Sequence, residues 1–165
     1  MDIFVFGTLR SDTLRKIVLG RDMSSDDICR ATIKDFRVYW AKEGPFPVMI
    51  PEANSETHGL VLRNLSEPDI ERLNYYELGF DYVLAPTSVE THEGQIEVSA
   101  YFCNRSDMAT TKLWSFDDWL SDHSEIQYLA AREFLDFFDT KFGDTAQIMY
   151  NSILKRAEVF VSASS

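Results

Sequence analysis

The sequence predicts a single domain of the α+β class, because strand patterns dominate its first two thirds and helix patterns dominate its last third. Apolar and alternating runs bounded by turn residues occupy residues 1–104, whereas apolar residues at helical spacing occupy residues 115–160. With 165 residues and 45% hydrophobic side chains, the chain is long enough for one well-buried core and too short for two.

The first three elements are predicted from apolar runs and their caps. Ile3–Phe6 is a short continuous apolar run, which is typical of a buried strand. Ser11 can cap a helix over Asp12–Leu19, and Gly20 would end that helix. Ala31–Trp40 alternates enough between apolar and polar residues to predict the next strand.

The middle of the chain combines strands with one capped helix. Val48–Ile50 predicts a brief apolar segment that Pro51 stops, and His58–Leu65 predicts a separate strand. The S-x-x-D pattern at 66–69 is that of a capping box, and it predicts a helix over about 67–76.

The remaining elements follow in order along the chain. Gly79 would close the capped helix, after which Asp81–Thr91 and Gln95–Asn104 predict a hairpin. Apolar residues at helical spacing from Ile126 onward predict a helix that ends near Gly143. A second helix is predicted from about Thr145 to Val159.

The composition excludes several classes of partner. A net charge of −11 makes nucleic acid and anionic membrane surfaces poor partners. Cys29 and Cys103 stand in no metal or redox spacing, so each is expected to pack as a small apolar residue. The start of the chain lacks the basic segment of a signal peptide, and no apolar run has the length of a membrane span. These features favour a cytoplasmic enzyme or binding domain.

Part of the negative charge belongs to the helical region. Residues 115–145 contain eight acidic residues and two basic ones. A solvated helical face explains this pattern better than an acidic docking surface does.

The sequence contains no familiar motif of nucleotide, metal or triad chemistry. Glycine-rich phosphate loops, the H-E-x-x-H zinc motif and the G-x-S-x-G nucleophile motif are all absent. His58, His92 and His123 are too scattered to propose as a metal site, and no histidine-paired serine or cysteine supports a nucleophilic triad. We therefore predict neither a metal nor a cofactor.

Two stretches remain as candidates for chemistry. In Phe6–Arg10, Gly7 lets the backbone approach a ligand, and consecutive N–H groups can bind an anion. On geometry alone, a turn that requires glycine explains the stretch better. Glu77 stands at a helix end among aromatic residues, where a dry environment would raise the pKa of its carboxyl and suit it to act as a general base. Taken alone, however, the pattern favours an exposed glutamate at a frayed helix end.

The order of five short motifs resembles that of the gamma-glutamyl cyclotransferase-like superfamily. Phe6-Gly7-Thr8-Leu9 resembles its Tyr-Gly-Ser/Thr-Leu loop, and Pro45–Pro51 resembles its aromatic-proline segment. His58–Leu62 is similar to its Gly-x-hydrophobic strand. Leu73–Glu77, followed by Phe80–Tyr82, resembles its Leu-Asp-x-aromatic-Glu-Gly…Tyr pattern. The resemblance covers roughly residues 1–105.

The resemblance implies a small mixed β-barrel with flanking helices and a ligand cavity formed by the loop after the first strand. It implies an enzyme that releases 5-oxoproline from a γ-glutamyl amine, amino acid or peptide without a metal or cofactor. Glu77 would be the catalytic base that deprotonates the substrate's α-amino group. The implied substrate-binding residues are Phe6, Gly7, Thr8, Leu9 and Tyr82. Arg10 would either add charge to the cavity mouth or form a surface ion pair.

The sequence departs from the family pattern at three positions. Phe6 replaces a tyrosine, Asn74 replaces a common aspartate, and Leu78 stands where glycine usually follows the glutamate. Phe6 and Leu78 favour an alternative function, a non-catalytic small-ligand-binding or regulatory module, whereas the retained Glu77 favours the enzyme.

The resemblance also suggests the domain organisation. A gamma-glutamyl cyclotransferase-like domain is expected over residues 1–110, a helical extension packed on it over 111–161, and a disordered tail over 162–165. The extension resembles that of bacterial proteins in which such a domain is joined to a Nudix hydrolase, although no Nudix motif is present. The aromatic stripe Phe134, Phe137 and Phe138 is expected to pack in the core, with a homodimer surface as the alternative.

Overall fold

The computed structural model of the protein describes residues 1–77, 82–139 and 143–164. The strands are β1 (Ile3–Val5), β2 (Ile28–Ala41), β3 (Pro47–Leu62), β4 (Tyr82–Thr91), β5 (Gly94–Cys103) and β6 (Ala109–Leu113). The helices are α1 (Asp12–Leu19), α2 (Glu67–Glu77), α3 (Phe116–Asp122), α4 (Ser124–Asp139) and α5 (Gly143–Ser164).

Within these ranges, five strands close into a mixed barrel. They are hydrogen-bonded in the order β3-β1-β5-β4-β2, and an additional pairing of β2 with β3 closes the ring. β1 and β5 run parallel, whereas the other pairs are antiparallel. β6 extends the sheet along β2. The predicted α+β class and the small mixed barrel are therefore confirmed.

The hairpin of β2 and β3 is longer than the sequence suggests. We expected Pro51 to end a brief apolar segment before a separate strand, and this expectation is wrong, because β3 runs through Pro51 without a break. Pro51 pairs with Phe36, next to a bulge between Lys34 and Phe36 where Asp35 has a φ of 61°. A proline is tolerated there, because the bulge already interrupts the hydrogen-bond ladder that proline cannot donate to.

The barrel separates two hydrophobic cores, and β1 contributes to both. Phe4 and Phe6 point to one side of β1, where they join the cluster that fills the barrel interior. Ile3 and Val5 point to the other side and pack beneath the helices. The alternation of a strand with a period of two therefore joins the barrel to its helical cover.

The N-terminal caps of α1 and α2 have the predicted form. The Ser11 hydroxyl accepts a hydrogen bond from the Leu14 N–H at 3.3 Å, and Gly20 ends α1 with a φ of 71°. At the start of α2, the Ser66 hydroxyl accepts from the Asp69 N–H at 3.3 Å, while the Asp69 carboxylate accepts from the Ser66 N–H at 2.8 Å. This reciprocal pair is a capping box.

The C-terminal third is more regular than the sequence suggests. β6 and α3 precede α4 and were not predicted. The expectation of a disordered tail is wrong for residues 162–164, because α5 continues to Ser164. The Ser164 hydroxyl donates to the Phe160 carbonyl at 2.9 Å. The predicted helix end at Gly79 and the last residue lie outside the described residues. α4 is described as far as Asp139, and Gly143, where its end was predicted, is the first residue of α5. Among the described residues, no helix has both the length and the apolar character that a membrane span requires.

α4 seals the helical core through its apolar face. Ala130, Ala131 and Phe134 are fully buried. The Phe134 ring stacks on that of Tyr75 with 4.5 Å between centroids. Phe134 of the predicted aromatic stripe is thus a core residue, which places α4 firmly against α2.

Replacing Phe134 with alanine is expected to lower the free energy of unfolding by about 3–5 kcal/mol, because it empties a large, fully enclosed site. Urea denaturation monitored by circular dichroism measures the change. Phe160→Ala is the matched control; that side chain is 62% exposed, so its loss is expected to change the free energy by less than about 0.5 kcal/mol. Equal effects of the two substitutions would contradict this account of the core.

Candidate active site

A cavity of about 350 Å³ opens where the barrel meets its helical cover. It lies between the end of β1, the segment that leads into β3, the last turn of α2, and α5. All six residues predicted for the site line it, namely Phe6, Gly7, Thr8, Leu9, Glu77 and Tyr82. Residues separated by about seventy positions in the sequence therefore share one concave surface.

The glycine after β1 is required by a close contact. Gly7 has a φ of −113°, so it does not adopt the positive φ for which glycine is usually selected. A Cβ atom at this position would instead overlap the Cγ atom of Pro47. Gly7 thus allows the start of β3 to lie directly against the end of β1.

The backbone after Gly7 folds into a single 3-10 turn at Thr8–Arg10. The Arg10 N–H donates to the Gly7 carbonyl and the Ser11 N–H donates to the Thr8 carbonyl, each at 3.0 Å. The N–H groups of Thr8 and Leu9 precede the first of these bonds, so the turn itself gives them no acceptor. Both residues line the cavity, where such groups can bind a carbonyl oxygen or a carboxylate.

Glu77 ends α2 at the cavity wall. Its side chain is half-buried, and burial raises the pKa of its carboxyl to about 7. Loss of water around a carboxylate disfavours the charged form, which is the cause of this direction. The carboxyl can therefore take up and release a proton near neutral pH, as a general base must.

Four tyrosine hydroxyls surround Glu77. Burial is the main cause that raises the pKa of each phenol, and the negative charge of Glu77 raises it further. The four are Tyr76, Tyr82, Tyr101 and Tyr150, contributed by α2, β4, β5 and α5. Their hydroxyls remain protonated throughout the neutral pH range, so they offer the cavity hydrogen-bond groups without adding charge.

Two of these hydroxyls hold the walls of the cavity together. Tyr82 donates to the Pro47 carbonyl at 3.0 Å, which fixes the proline that lies against Gly7. Tyr101 donates to the Asn74 side-chain oxygen at 2.8 Å. Asn74, one of the departures from the family pattern, thus joins α2 to the barrel.

The far end of α2 is fixed by an ion pair. Arg21 donates to the two carboxylate oxygens of Asp69 at 2.9 and 2.6 Å. The Arg21 hydrogen bond is the main cause that lowers the pKa of Asp69 to about 2. Since Asp69 also belongs to the capping box, one buried carboxylate anchors the helix that ends at Glu77.

Arg10 does not line the cavity. The cavity mouth was one of the two positions that the sequence suggested for its side chain. Its guanidinium stacks 4.5 Å from the centre of the Phe116 ring, and burial lowers its pKa despite the nearby Asp117. Arg105, after β5, is instead the lining residue that carries a positive charge. In the described part of the chain, no cluster of histidine, cysteine and acidic residues has the form of a metal site.

Sequence reasoning missed the wall contributed by α4 and α5. Gln127, Tyr150, Asn151 and Leu154 all line the cavity. Gln127 could have been noticed, because it lies four and seven residues before Ala131 and Phe134 and is therefore a polar residue within the buried stripe of α4. Periodicity identifies such a stripe by its apolar members only.

Comparison with known proteins assigns the family. The family model described as gamma-glutamyl cyclotransferase, AIG2-like, matches residues 3–121, so the chain belongs to this family. AIG2-like protein B of Arabidopsis thaliana is 26% identical over 138 residues, which cover 82% of this chain and 78% of that protein. The resemblance inferred from the five motifs is thus confirmed at the level of the family.

Solved structures support the same fold. The solution structure of an Arabidopsis thaliana protein matches with a TM-score of 0.59 at 20% identity, over 84% of this chain and 83% of that one. The crystal structure of YkqA from Bacillus subtilis matches with a TM-score of 0.57 at 17% identity, over 92% of this chain and 54% of that one.

Gly7→Ala is expected to cost about 1–3 kcal/mol of unfolding free energy, because the added methyl group must displace the Pro47 ring. Denaturant unfolding of Gly7→Ala, Pro47→Ala and the double variant measures the coupling between the two sites. Pro47→Ala removes the clashing atom, so the double variant should lose less than the sum of the single losses. Additive losses would show that the close contact does not require glycine.

Glu77→Gln is expected to raise the Tm at about pH 8 and to leave it nearly unchanged at about pH 4.5. The pKa of this carboxyl rises from 4.5 to about 7 on folding. The protonated Glu77 side chain therefore makes its full contribution to stability below pH 4.5, and this contribution is lost as the pH rises through 7. A neutral amide avoids this loss. Glu71→Gln, at an exposed position on the same helix, is the matched control. A pH-independent difference for Glu77→Gln would contradict a raised pKa.

Proposed function

We propose that the protein is a gamma-glutamyl cyclotransferase that releases 5-oxoproline from a γ-glutamyl amine, amino acid or peptide. The observation that carries the proposal is the placement of Glu77, whose pKa is raised to about 7, in the same cavity as the backbone of Gly7–Leu9. The family assignment supports the same class of reaction.

The reaction begins with a proton transfer to Glu77. The α-ammonium group of the substrate has no lone pair and cannot attack until a base removes a proton. A carboxylate with a pKa near 7 can accept that proton at neutral pH and can still return it later. Glu77 is the general base in this proposal.

Ring closure then needs no other reactant. The freed α-nitrogen attacks the γ-carbonyl carbon, and a five-membered lactam forms as the new C–N bond closes. As the ring closes the α-nitrogen loses a second proton, and the bond between the γ-carbon and the leaving nitrogen breaks. The leaving nitrogen takes up both protons, the first of them returned by Glu77, so the amine departs as its ammonium form. No water is consumed, and the carboxylate is regenerated.

The remaining groups of the cavity bind and orient the substrate. The N–H groups of Thr8 and Leu9 can donate to the substrate carboxylate or to the oxygen that becomes negative during ring closure. The rings of Phe6 and Tyr82 give the cavity apolar walls. Holding both ends of a flexible γ-glutamyl group lowers the entropic cost of bringing them together.

A ligand-binding module without turnover is the second candidate. Phe6 favours it, because this residue lines the cavity and has no hydroxyl with which to bind a substrate. Such a module would bind γ-glutamyl compounds but form no product.

Glu77→Gln is expected to lower kcat/KM by about 10²–10⁴-fold, because an amide cannot accept the ammonium proton. The assay follows 5-oxoproline with γ-glutamyl amino acids, glutathione and γ-glutamyl-lysine isopeptides as substrates. For the parent protein, kcat/KM should rise with pH and reach half of its maximum near pH 7, since the base must be ionised.

Glu71→Gln is the matched control on α2, and it should retain the activity of the parent. Turnover by Glu77→Gln at the parental rate would remove Glu77 from the role of base. Calorimetric binding of a γ-glutamyl compound without product from any substrate would favour the binding module.

A further inference from the structure

The last two helices complete the cavity with residues from outside the segment that matches the family. The family model ends at residue 121, whereas Gln127 lies on α4 and Tyr150, Asn151 and Leu154 lie on α5. All four line the cavity. This wall therefore lies outside the segment that the family model matches.

Gln127 connects three helices within this wall. Its side-chain nitrogen donates to the hydroxyl oxygen of Tyr76, on α2, at 2.6 Å. The same nitrogen donates to the hydroxyl oxygen of Tyr150, on α5, at 3.2 Å. A primary amide has two N–H groups, so it can serve both phenols at once.

The direction of the first bond determines where the Tyr76 proton points. A phenol that accepts from Gln127 must direct its own O–H elsewhere. In the part of the chain that the structure describes, the Tyr76 hydroxyl accepts this one hydrogen bond and donates none. Tyr76 lines the cavity, so the cavity is where its proton can find an acceptor.

The surroundings keep this hydroxyl fixed and protonated. The Tyr76 ring is 6% exposed and meets the Phe134 ring edge-on at 6.4 Å. Burial, the main cause, raises the pKa of Tyr76 well above its usual value. The hydroxyls of Tyr82 and Tyr101 are directed to Pro47 and to Asn74, so they do not duplicate this role.

We propose that Gln127 is a positioning residue, which holds the Tyr76 hydroxyl as an acceptor and thereby directs its proton to the γ-carbonyl oxygen of the bound substrate. The proposal rests on the cyclotransferase function, because it assigns Tyr76 as a donor to the oxygen that becomes negative during ring closure. The helical extension is then part of the active site rather than only a cover for the barrel.

The test is a double-mutant cycle of Gln127→Met and Tyr76→Phe. Tyr76→Phe should lower kcat about 100-fold with little change in KM, because the donor acts mainly in the transition state. Gln127→Met should lower kcat about 10-fold in the parent, because the O–H of Tyr76 is then no longer held in the direction of the cavity. In the Tyr76→Phe background, Gln127→Met should have no further effect, because there is no proton left to direct.

Further variants separate positioning from packing. Gln127→Glu keeps the side-chain volume but replaces the donor with an acceptor, which draws the Tyr76 proton away from the cavity and should lower kcat at least as much as Gln127→Met does. Gln95→Met, on the exposed part of β5, should change nothing. A loss from Gln127→Met that is equal with and without the Tyr76 hydroxyl would overturn the proposal.

A binding measurement separates failure of this proposal from failure of the proposed function. If the parent forms no product, the cyclotransferase function fails. The positioning role can still be tested by calorimetric titration of the parent and the three variants of the cycle with 5-oxoproline, because the lactam carbonyl of 5-oxoproline is a hydrogen-bond acceptor. A roughly 10-fold weaker Kd for Gln127→Met that disappears in the Tyr76→Phe background supports the positioning role. Equal affinity of the parent and Gln127→Met overturns it.

Discussion

The contact between the Gly7 backbone and the Pro47 ring is the constraint on which the cavity depends. It joins the end of β1 to the start of β3 without an intervening side chain. The Tyr82 hydroxyl holds the Pro47 carbonyl, so three elements meet at this point. The turn that follows Gly7 begins at this contact, and its residues 8 and 9 line the cavity.

The barrel and the helices supply different parts of the site. The barrel contributes the backbone turn after β1 and two tyrosines, whereas the helices contribute a carboxyl and the side chains that keep water from it. The raised pKa of Glu77 is a consequence of this division, since α2 carries the carboxyl to a cavity that α4 and α5 help to enclose. The proposed role of Glu77 as a base near neutral pH would therefore need both parts.

The sequence predicts features that depend on neighbouring residues, such as helix caps, and misses features that depend on the pairing of strands far apart in the chain. The caps of α1 and α2 are readable because Ser11, Gly20 and Ser66 act on neighbouring backbone groups. Closure of the barrel and the passage of β3 through Pro51 depend on pairing with β2, which no short window contains. The link between Glu77 and the Gly7 loop came from the order of family motifs, and Gln127 was missed because it is a polar residue in an apolar stripe.

The two ends of α2 respond to pH in opposite directions. The N-terminal end is held by ionised Asp69, whose contribution is complete above about pH 4 and is lost as the pH falls through about 2. The C-terminal end is most stable while Glu77 keeps its proton, below about pH 7. The helix is therefore most secure in mildly acidic solution, whereas the proposed role as a base requires Glu77 to be ionised. Activity would thus carry an inherent trade-off, in which the form of the protein that is ready to react is the one whose helix is held less firmly.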